Sequence, residues 1–300
     1  MFRKINCKEI RDAYIRECEN VEAFSNSIHP RLAIIAYDAR DDDRAYLDAI
    51  TKLSMRLGVS LRIRNIISKD LSISDIFESI NDFIKCQIQD GAPILLIGVP
   101  RSFAKFMVQI PTNLDIDCWC PANRGKFLSG DEDAHDPITA VCVFQVIDQY
   151  LFDEDWPRTR TLILGRGRIG NEVAALLRGK GTVVTQVNSQ TPKWIVEQQA
   201  SLSEIIVSCI GKPHVYRLDD FLLGNSDKII IDVGVSRIDG KPFGDIEIPP
   251  AVIEREVPNR IEYSTVLGGI GSITTARLMH DVFEVAAVNH ANASVNHANE

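Results

Sequence analysis

The sequence predicts an α/β protein made of two α/β domains. Three observations lead there. Short runs rich in Ile, Val and Leu recur along the chain, each followed by a stretch of helical period, and this alternation builds parallel sheets covered by helices. The length of 300 residues suits one large domain or two ordinary ones, and a polar, structure-breaking stretch, Asp153-Glu-Asp-Trp-Pro157, lies near the middle. One strand–helix junction carries glycines at the spacing G-x-G-x-x-G, Gly165-Arg166-Gly167-Arg168-Ile169-Gly170, which marks the C-terminal domain as a Rossmann fold.

Residues 8–24 read as an amphipathic helix, with Ile10, Ala13, Tyr14, Cys18 and Val21 at helical spacing. Arg31–Tyr37 is an apolar strand. Residues 42–57 are helical, capped by Asp42 or Asp43 and ended by Gly58. Residues 59–66 alternate like a strand, 73–88 form a helix and 93–98 a buried strand. From 111 to 137 the chain reads as loop, and a helix over 138–151 carries it onward. The boundary is placed near 150, giving domains at 1–150 and 151–271. Strands are expected within 159–165, 182–187, 205–210 and 228–233. The turn Gly268-Gly-Ile-Gly271 precedes a last helix over 272–288, and 289–300 read as a polar, frayed tail.

Composition narrows the function classes. Hydrophobic residues make up 45% and charged residues 25%, as in an ordinary globular protein. The net charge of −8 argues against unaided binding to nucleic acid or an anionic membrane. The seven cysteines are scattered, and Cys118 and Cys120 form a CxC without a second pair, so no metal site is assigned and a reducing compartment is expected. The first residues lack the apolar core of a signal peptide and no apolar run reaches membrane-spanning length. A cytoplasmic protein is expected.

The glycine motif follows an apolar strand and precedes an amphipathic helix, the context a dinucleotide site requires. Gly165 permits the tight turn, Gly167 lets backbone approach a pyrophosphate, and Gly170 lets helix and strand pack closely. An ordinary strand–turn–helix junction carries the same pattern at times. The next strand ends Val187-Asn-Ser-Gln-Thr191 with no acidic residue for a ribose diol. The Arg166 guanidinium and the Ser189 hydroxyl suit a 2′-phosphate instead, so NADP is expected over NAD.

Several segments together resemble the methylenetetrahydrofolate dehydrogenase/cyclohydrolase family, from about residue 31 to 278. Gly165-Arg166 is similar to the start of its G-R-S loop, with Gly167 in place of the serine and the loop one residue shorter. Asn188-Ser189-Gln-Thr191 is similar to its H-S-x-T, and Ile210-Gly-Lys-Pro213 and Ile231-Asp-Val-Gly234 to its later cofactor-side turns. Asp115-Ile-Asp117 with Pro121-Ala-Asn-Arg-Gly125 resembles D-V-D-G…N-x-G, and Gly268-Gly269-Ile-Gly271-Ser-Ile-Thr274 resembles P-G-G-V-G-P-M-T. The resemblance implies a substrate domain completed by the C-terminal helix, a Rossmann domain, a cleft between them holding folate and NADP, and a homodimer. It implies cofactor contacts at Gly165, Arg166, Gly167, Arg168, Ile169, Gly170, Ser189, Gly211, Pro213, Gly234 and Thr274. Substrate contacts are implied at Tyr46, Asp117, Gly268 and Gly269, with Tyr46 and Asp117 in the catalytic set.

The departures matter as much. The family helix carries Tyr and, four residues later, Lys; here the pair is Tyr46 and Ile50, expected to face the cleft together. Lys52 lies about 200° further round the helix. The family glutamine before Leu-Pro is Gly98. Asp43, Cys118, Leu267 and Ser272 replace a serine, a glycine and two prolines. In the family the lysine handles the proton in cyclohydrolysis, a role isoleucine cannot fill, whereas hydride transfer depends on placement. The expectation is an NADP-dependent dehydrogenase with cyclohydrolase activity lost or weak. Two other readings stay open: a paralogue acting on another pterin or one-carbon substrate, and a binding protein without turnover.

Overall fold

The computed structural model describes residues 1–24, 28–131 and 134–298. The elements run β1 (Phe2–Lys4), α1 (Lys8–Phe24), β2 (Arg31–Tyr37), α2 (Asp41–Arg56), β3 (Ser60–Ile66), α3 (Ile73–Gln89), β4 (Ile94–Ile97), α4 (Pro121–Ser129) and α5 (Ile138–Asp148). They continue with β5 (Arg160–Leu164), α6 (Arg168–Gly179), β6 (Val183–Val187), α7 (Lys193–Leu202), β7 (Ile205–Ser208), β8 (Tyr216–Arg217) and β9 (Lys228–Asp232). The last are β10 (Ser236–Ile238), β11 (Lys241–Phe243), β12 (Ile246–Glu247), α8 (Pro250–Ile253), β13 (Ile261–Tyr263) and α9 (Ile270–Ala298). The chain divides into two compact units, residues 1–10 with 139–274 and residues 11–138 with 275–300.

In the unit of residues 11–138 and 275–300, β3, β2 and β4 form a parallel sheet in that order. All of Leu32–Ala36 is buried, which explains why β2 reads as a continuous apolar run: it is central and covered on both faces. Ile76, Ile80 and Ile84 recur every fourth residue of α3 and pack on Ala33, Ile35, Ile94 and Leu96. Ser72 caps that helix, its hydroxyl accepting from Asp75 N–H at 3.1 Å while Asp75 accepts from Ser72 N–H at 3.3 Å.

In the unit of residues 1–10 and 139–274, a six-stranded sheet runs β1-β13-β9-β7-β5-β6 and every pairing is parallel. Leu162, Leu164, Ile206 and Ile230 meet Val196 and Ala200 of α7 in its core. β5 has β6 on one side and β7 on the other, so the strand order reverses at β5. Ligands of such sheets lie outside the carboxyl ends at that reversal.

Four expectations need correction. The change of unit falls at residue 138, not 150, and the first ten residues join the second sheet through β1, which pairs Phe2 with Ile261. Neither Asp42 nor Asp43 is the N-cap of α2: Arg40 holds that place and Asp43 accepts from its N–H at 3.0 Å, leaving Asp41, Asp42 and Asp43 in the first turn near the positive end of the helix dipole. Within the expected loop over 111–137, α4 forms because Pro121 sits in the first turn, where its missing N–H is harmless, and Gly130 closes the helix at φ 76°. The last helix does not stop at 288 but runs to Ala298; no Gly or Pro interrupts the chain after Gly271, and Ala286, Ala287 and Ala291 favour helix.

Candidate functional site

The glycine loop sits at the carboxyl end of β5, the strand where the order reverses. Gly165 N–H donates to Val187 O at 2.9 Å, tying the loop to the end of β6. Its φ is 124°, and a Cβ there would lie 2.7 Å from Cys209 O. A Cβ on Gly170 would lie 2.4 Å from Gly165 O. Both positions therefore exclude any side chain for reasons of packing. Gly167 differs: it precedes α6 with φ −74° and ψ −169°, ordinary extended backbone, and a Cβ there would meet nothing within 4 Å. The cradle at Gly167 is open, as a pyrophosphate seated at a helix start requires.

Arg166 and Ser189 are both exposed. Ser189 lies in the turn after β6, which Asn188 holds by accepting from Gln190 N–H at 3.0 Å. Arg168 and Ile169 begin α6 and are half-buried. After β7, Gly211 is exposed at φ 72° and Pro213 is half-buried. After β9, Gly234 packs against the carboxylate of Asp245, a residue sequence reasoning did not single out. Burial, with Asp245 as a like-charged neighbour, pushes Asp232 up to about 7. Gly268 and Gly269 lie in the turn before α9, and Thr274, in its first turns, donates to Gly271 O at 3.0 Å.

Of the expected substrate residues, Tyr46 and Asp117 belong to the unit of residues 11–138 and 275–300, whereas Gly268 and Gly269 belong to the unit of residues 1–10 and 139–274. Tyr46 is half-buried on α2, and Ile50, one turn on, is 0% exposed: position 50 is core, not open surface. Lys52 is exposed. Gly98 follows β4 at φ 70°, and a Cβ on it would lie 2.3 Å from Tyr37 O. The backbone there admits glycine alone, so position 98 is more than a lost glutamine. Asp117 is half-buried and accepts from Ile138 N–H at 3.1 Å. Its neighbour Asp115 is fully buried and accepts from Trp119 N–H, Cys120 N–H and Asn123 Nδ2 at 3.0, 2.8 and 3.1 Å. Burial pushes its carboxyl up although these bonds oppose the shift. Cys118 keeps a left-handed φ of 50° where the resembling motif has glycine.

The thiols of Cys118 and Cys120 are buried, and burial pushes Cys120 up to about 12, so it holds its proton. His280, Asp281 and Glu284 bring ligand atoms within 4.8 Å of one another. Arg277 Nε, however, sits 2.6 Å from Asp281 Oδ1 and already balances that carboxylate. A cavity of about 290 Å³ opens at the amino ends of β7 and β9, beside Glu204, Lys228 and Glu262, at the edge of the sheet opposite the glycine loop.

A parallel sheet whose order reverses at a strand ending in this glycine loop defines a dinucleotide-binding protein of Rossmann type. A family model described as tetrahydrofolate dehydrogenase/cyclohydrolase, NAD(P)-binding domain, matches residues 137–290, and the chain belongs to that family. The bifunctional protein FolD of Alkaliphilus oremlandii is 25% identical over 291 residues, 94% of this chain and 95% of its own length. That of Thermotoga maritima is 28% identical over 289 residues, 94% of this chain and 97% of its own. Among solved structures, the methylenetetrahydrofolate dehydrogenase-cyclohydrolase of Trypanosoma brucei, complexed with NADP cofactor and inhibitor, aligns with a TM-score of 0.77 at 22% identity, covering 94% of this chain and 95% of that one. The 5,10-methylenetetrahydrofolate dehydrogenase of the silkworm Bombyx mori aligns with a TM-score of 0.74 at 20% identity, covering 97% and 100%. These likenesses establish the fold. Among the described residues no helix is long and apolar enough to cross a membrane.

Proposed function

We propose that this chain is an NADP-dependent 5,10-methylenetetrahydrofolate dehydrogenase of one-carbon metabolism whose cyclohydrolase activity is lost or weak. The observation that carries the dehydrogenase reading is the glycine loop, closed by packing at Gly165 and Gly170 and open at Gly167. That loop and the start of α6 would hold the pyrophosphate, with Arg168 and Ile169 in the first turn. Arg166 and Ser189 would take the 2′-phosphate. Gly211, Pro213, Gly234 and Thr274 would border the nicotinamide half, which supplies the hydride acceptor when bound. Tyr46 and Asp117 would hold the folate, Asp117 accepting from the amino-pyrimidine edge; Gly268 and Gly269 would let backbone approach a ligand.

Ile50 supports the separation of the two activities. Opening a methenyl group to the 10-formyl product requires proton movement, a contribution of roughly 10²–10⁴-fold when a side chain performs it. Ile50 has no ionisable atom and no exposed surface, and the backbone at Gly98 leaves no room for the glutamine that accompanies the family lysine. Hydride transfer asks these side chains for orientation, not for a proton. A homodimer belongs to the same proposal and is read by sedimentation. Purified protein offered 5,10-methylenetetrahydrofolate with NADP⁺ or NAD⁺ should form reduced cofactor faster with NADP⁺. Binding without reduction of either cofactor would refute the dehydrogenase assignment.

A further inference from the structure

Asp245 has no exposed surface, yet its carboxylate gathers four donors. Oδ2 accepts from the Ser208 hydroxyl at 2.8 Å and from Ile210 N–H at 2.7 Å. Oδ1 accepts from Gly211 N–H at 2.8 Å and Lys212 N–H at 3.0 Å. Three of the donors are consecutive amides of the turn that leaves β7. A carboxylate holding such a run fixes the turn's conformation, because each charge-assisted bond is about twice as strong as a neutral one.

The carboxylate itself has no freedom. A Cβ on Gly234 would lie 2.0 Å from its Oδ1, and a Cβ on Gly244 would lie 2.1 Å from Asp232 Oδ2. Asp232 accepts from Gly234 N–H at 3.1 Å and Ile246 N–H at 2.8 Å. The ends of β7 and β9 and the segment before β12 are thus locked around two acidic side chains.

The place of this lock gives it a role. The β7 turn abuts the glycine loop, since a Cβ on Gly165 would touch Cys209 O. In this fold the adenosine ribose lies toward the strand after the loop, here β6. The sheet order β6-β5-β7-β9 then leaves the other half of a dinucleotide over the ends of β7 and β9. We propose that Asp245 is the positioning residue for the nicotinamide half of the cofactor, acting through the Ile210–Lys212 turn and touching neither cofactor nor substrate. This rests on the dinucleotide reading of the glycine loop.

The test compares Asp245→Asn and the milder Ser208→Ala with the unaltered protein. Asparagine keeps the volume but turns an N–H toward amides that need an acceptor; Ser208→Ala removes one donor and leaves the turn's own residues intact. The readouts are the dissociation constant for 2′,5′-ADP, which carries only the adenosine half, and the fluorescence enhancement of NADPH at saturation, which reports how firmly the dihydronicotinamide ring is held. The unaltered protein should enhance NADPH emission. Both variants should hold 2′,5′-ADP within about twofold, while the enhancement falls by about half or more. If Asp245→Asn does not fold, Ser208→Ala decides. Retained enhancement, loss only in parallel with 2′,5′-ADP affinity, or no enhancement in the unaltered protein would overturn the positioning role. Failure of the unaltered protein to bind either NADPH or 2′,5′-ADP would instead remove the cofactor reading beneath it.

Discussion

Replacing Gly167 and Gly170 by alanine, one at a time, separates the loop's ligand-facing glycine from its packing glycine. At Gly170 the new methyl would lie 2.4 Å from a backbone oxygen, Gly165 O, which cannot swing aside like a side-chain tip. Overpacking of this kind costs about 1–3 kcal/mol, and alanine's better helix propensity returns roughly 1 kcal/mol at most. A net loss of about 1–2 kcal/mol should lower the melting temperature by about 2–8 °C for a unit of this size. At Gly167 the backbone is one that alanine adopts freely and the methyl meets nothing within 4 Å. A weaker N-cap and a less flexible unfolded chain act in opposite directions, each by under about 1 kcal/mol. Gly167→Ala should therefore melt like the unaltered protein. Its methyl would occupy the space assigned to the pyrophosphate, so NADP⁺ affinity by calorimetry should fall at least about tenfold, or 1.4 kcal/mol. A Gly167→Ala protein that binds NADP⁺ normally would refute the cradle. A Gly170→Ala protein with an unchanged melt would refute the packing distinction.

Ile50→Lys should lose about 3 kcal/mol or more in urea titration, because position 50 is wholly buried and an unpaired ammonium is costly there. It should not restore hydrolysis of methenyltetrahydrofolate; appearance of that activity would contradict the reading of Gly98. Asp232, held at about 7 against 3.8 unfolded, stays neutral more readily in the fold. Its contribution is therefore present below about pH 4 and lost as pH rises through 7, a swing of about 2–4 kcal/mol. Asp232→Asn should flatten that part of the stability–pH curve in urea titrations at pH 5 and 8, and an unchanged slope would count against the shift. Arg166→Ala with Ser189→Ala should weaken NADP⁺ by about tenfold and leave NAD⁺ alone; equal losses for both would exclude the 2′-phosphate contact.

Much of this architecture is visible in the residues themselves. The central strands show as continuous Ile/Val runs because both faces are covered, and the glycine spacing marks the strand at which the sheet reverses. Other elements lack a local signal. Phe2–Lys4 is three residues long and becomes a strand only because Ile261–Tyr263 offers an edge. Pro121, Asn123 and Gly125 look like loop punctuation, yet Pro121 starts a helix and Asn123 is buried with its amide on Asp115. The tail's polar residues conceal a helix that alanines continue. Within the candidate site, the glycine loop is legible by its spacing, but the place of Asp245 is not. Asp245 gathers amides 33 to 35 residues away in the chain, and no local pattern records that. Substitution at position 98 likewise reads as a lost side chain until the left-handed backbone and the approach of Tyr37 O are in view.

The most direct test follows the carbon through one reaction. Protein, 5,10-methylenetetrahydrofolate and NADP⁺ are mixed, and NADPH, methenyltetrahydrofolate and 10-formyltetrahydrofolate are measured together against a protein-free control for methenyl hydrolysis. The expected result is NADPH formed in step with methenyltetrahydrofolate, which then decays no faster than in the control. Accelerated appearance of the 10-formyl product would contradict the assignment of a dehydrogenase that has lost its cyclohydrolase partner reaction.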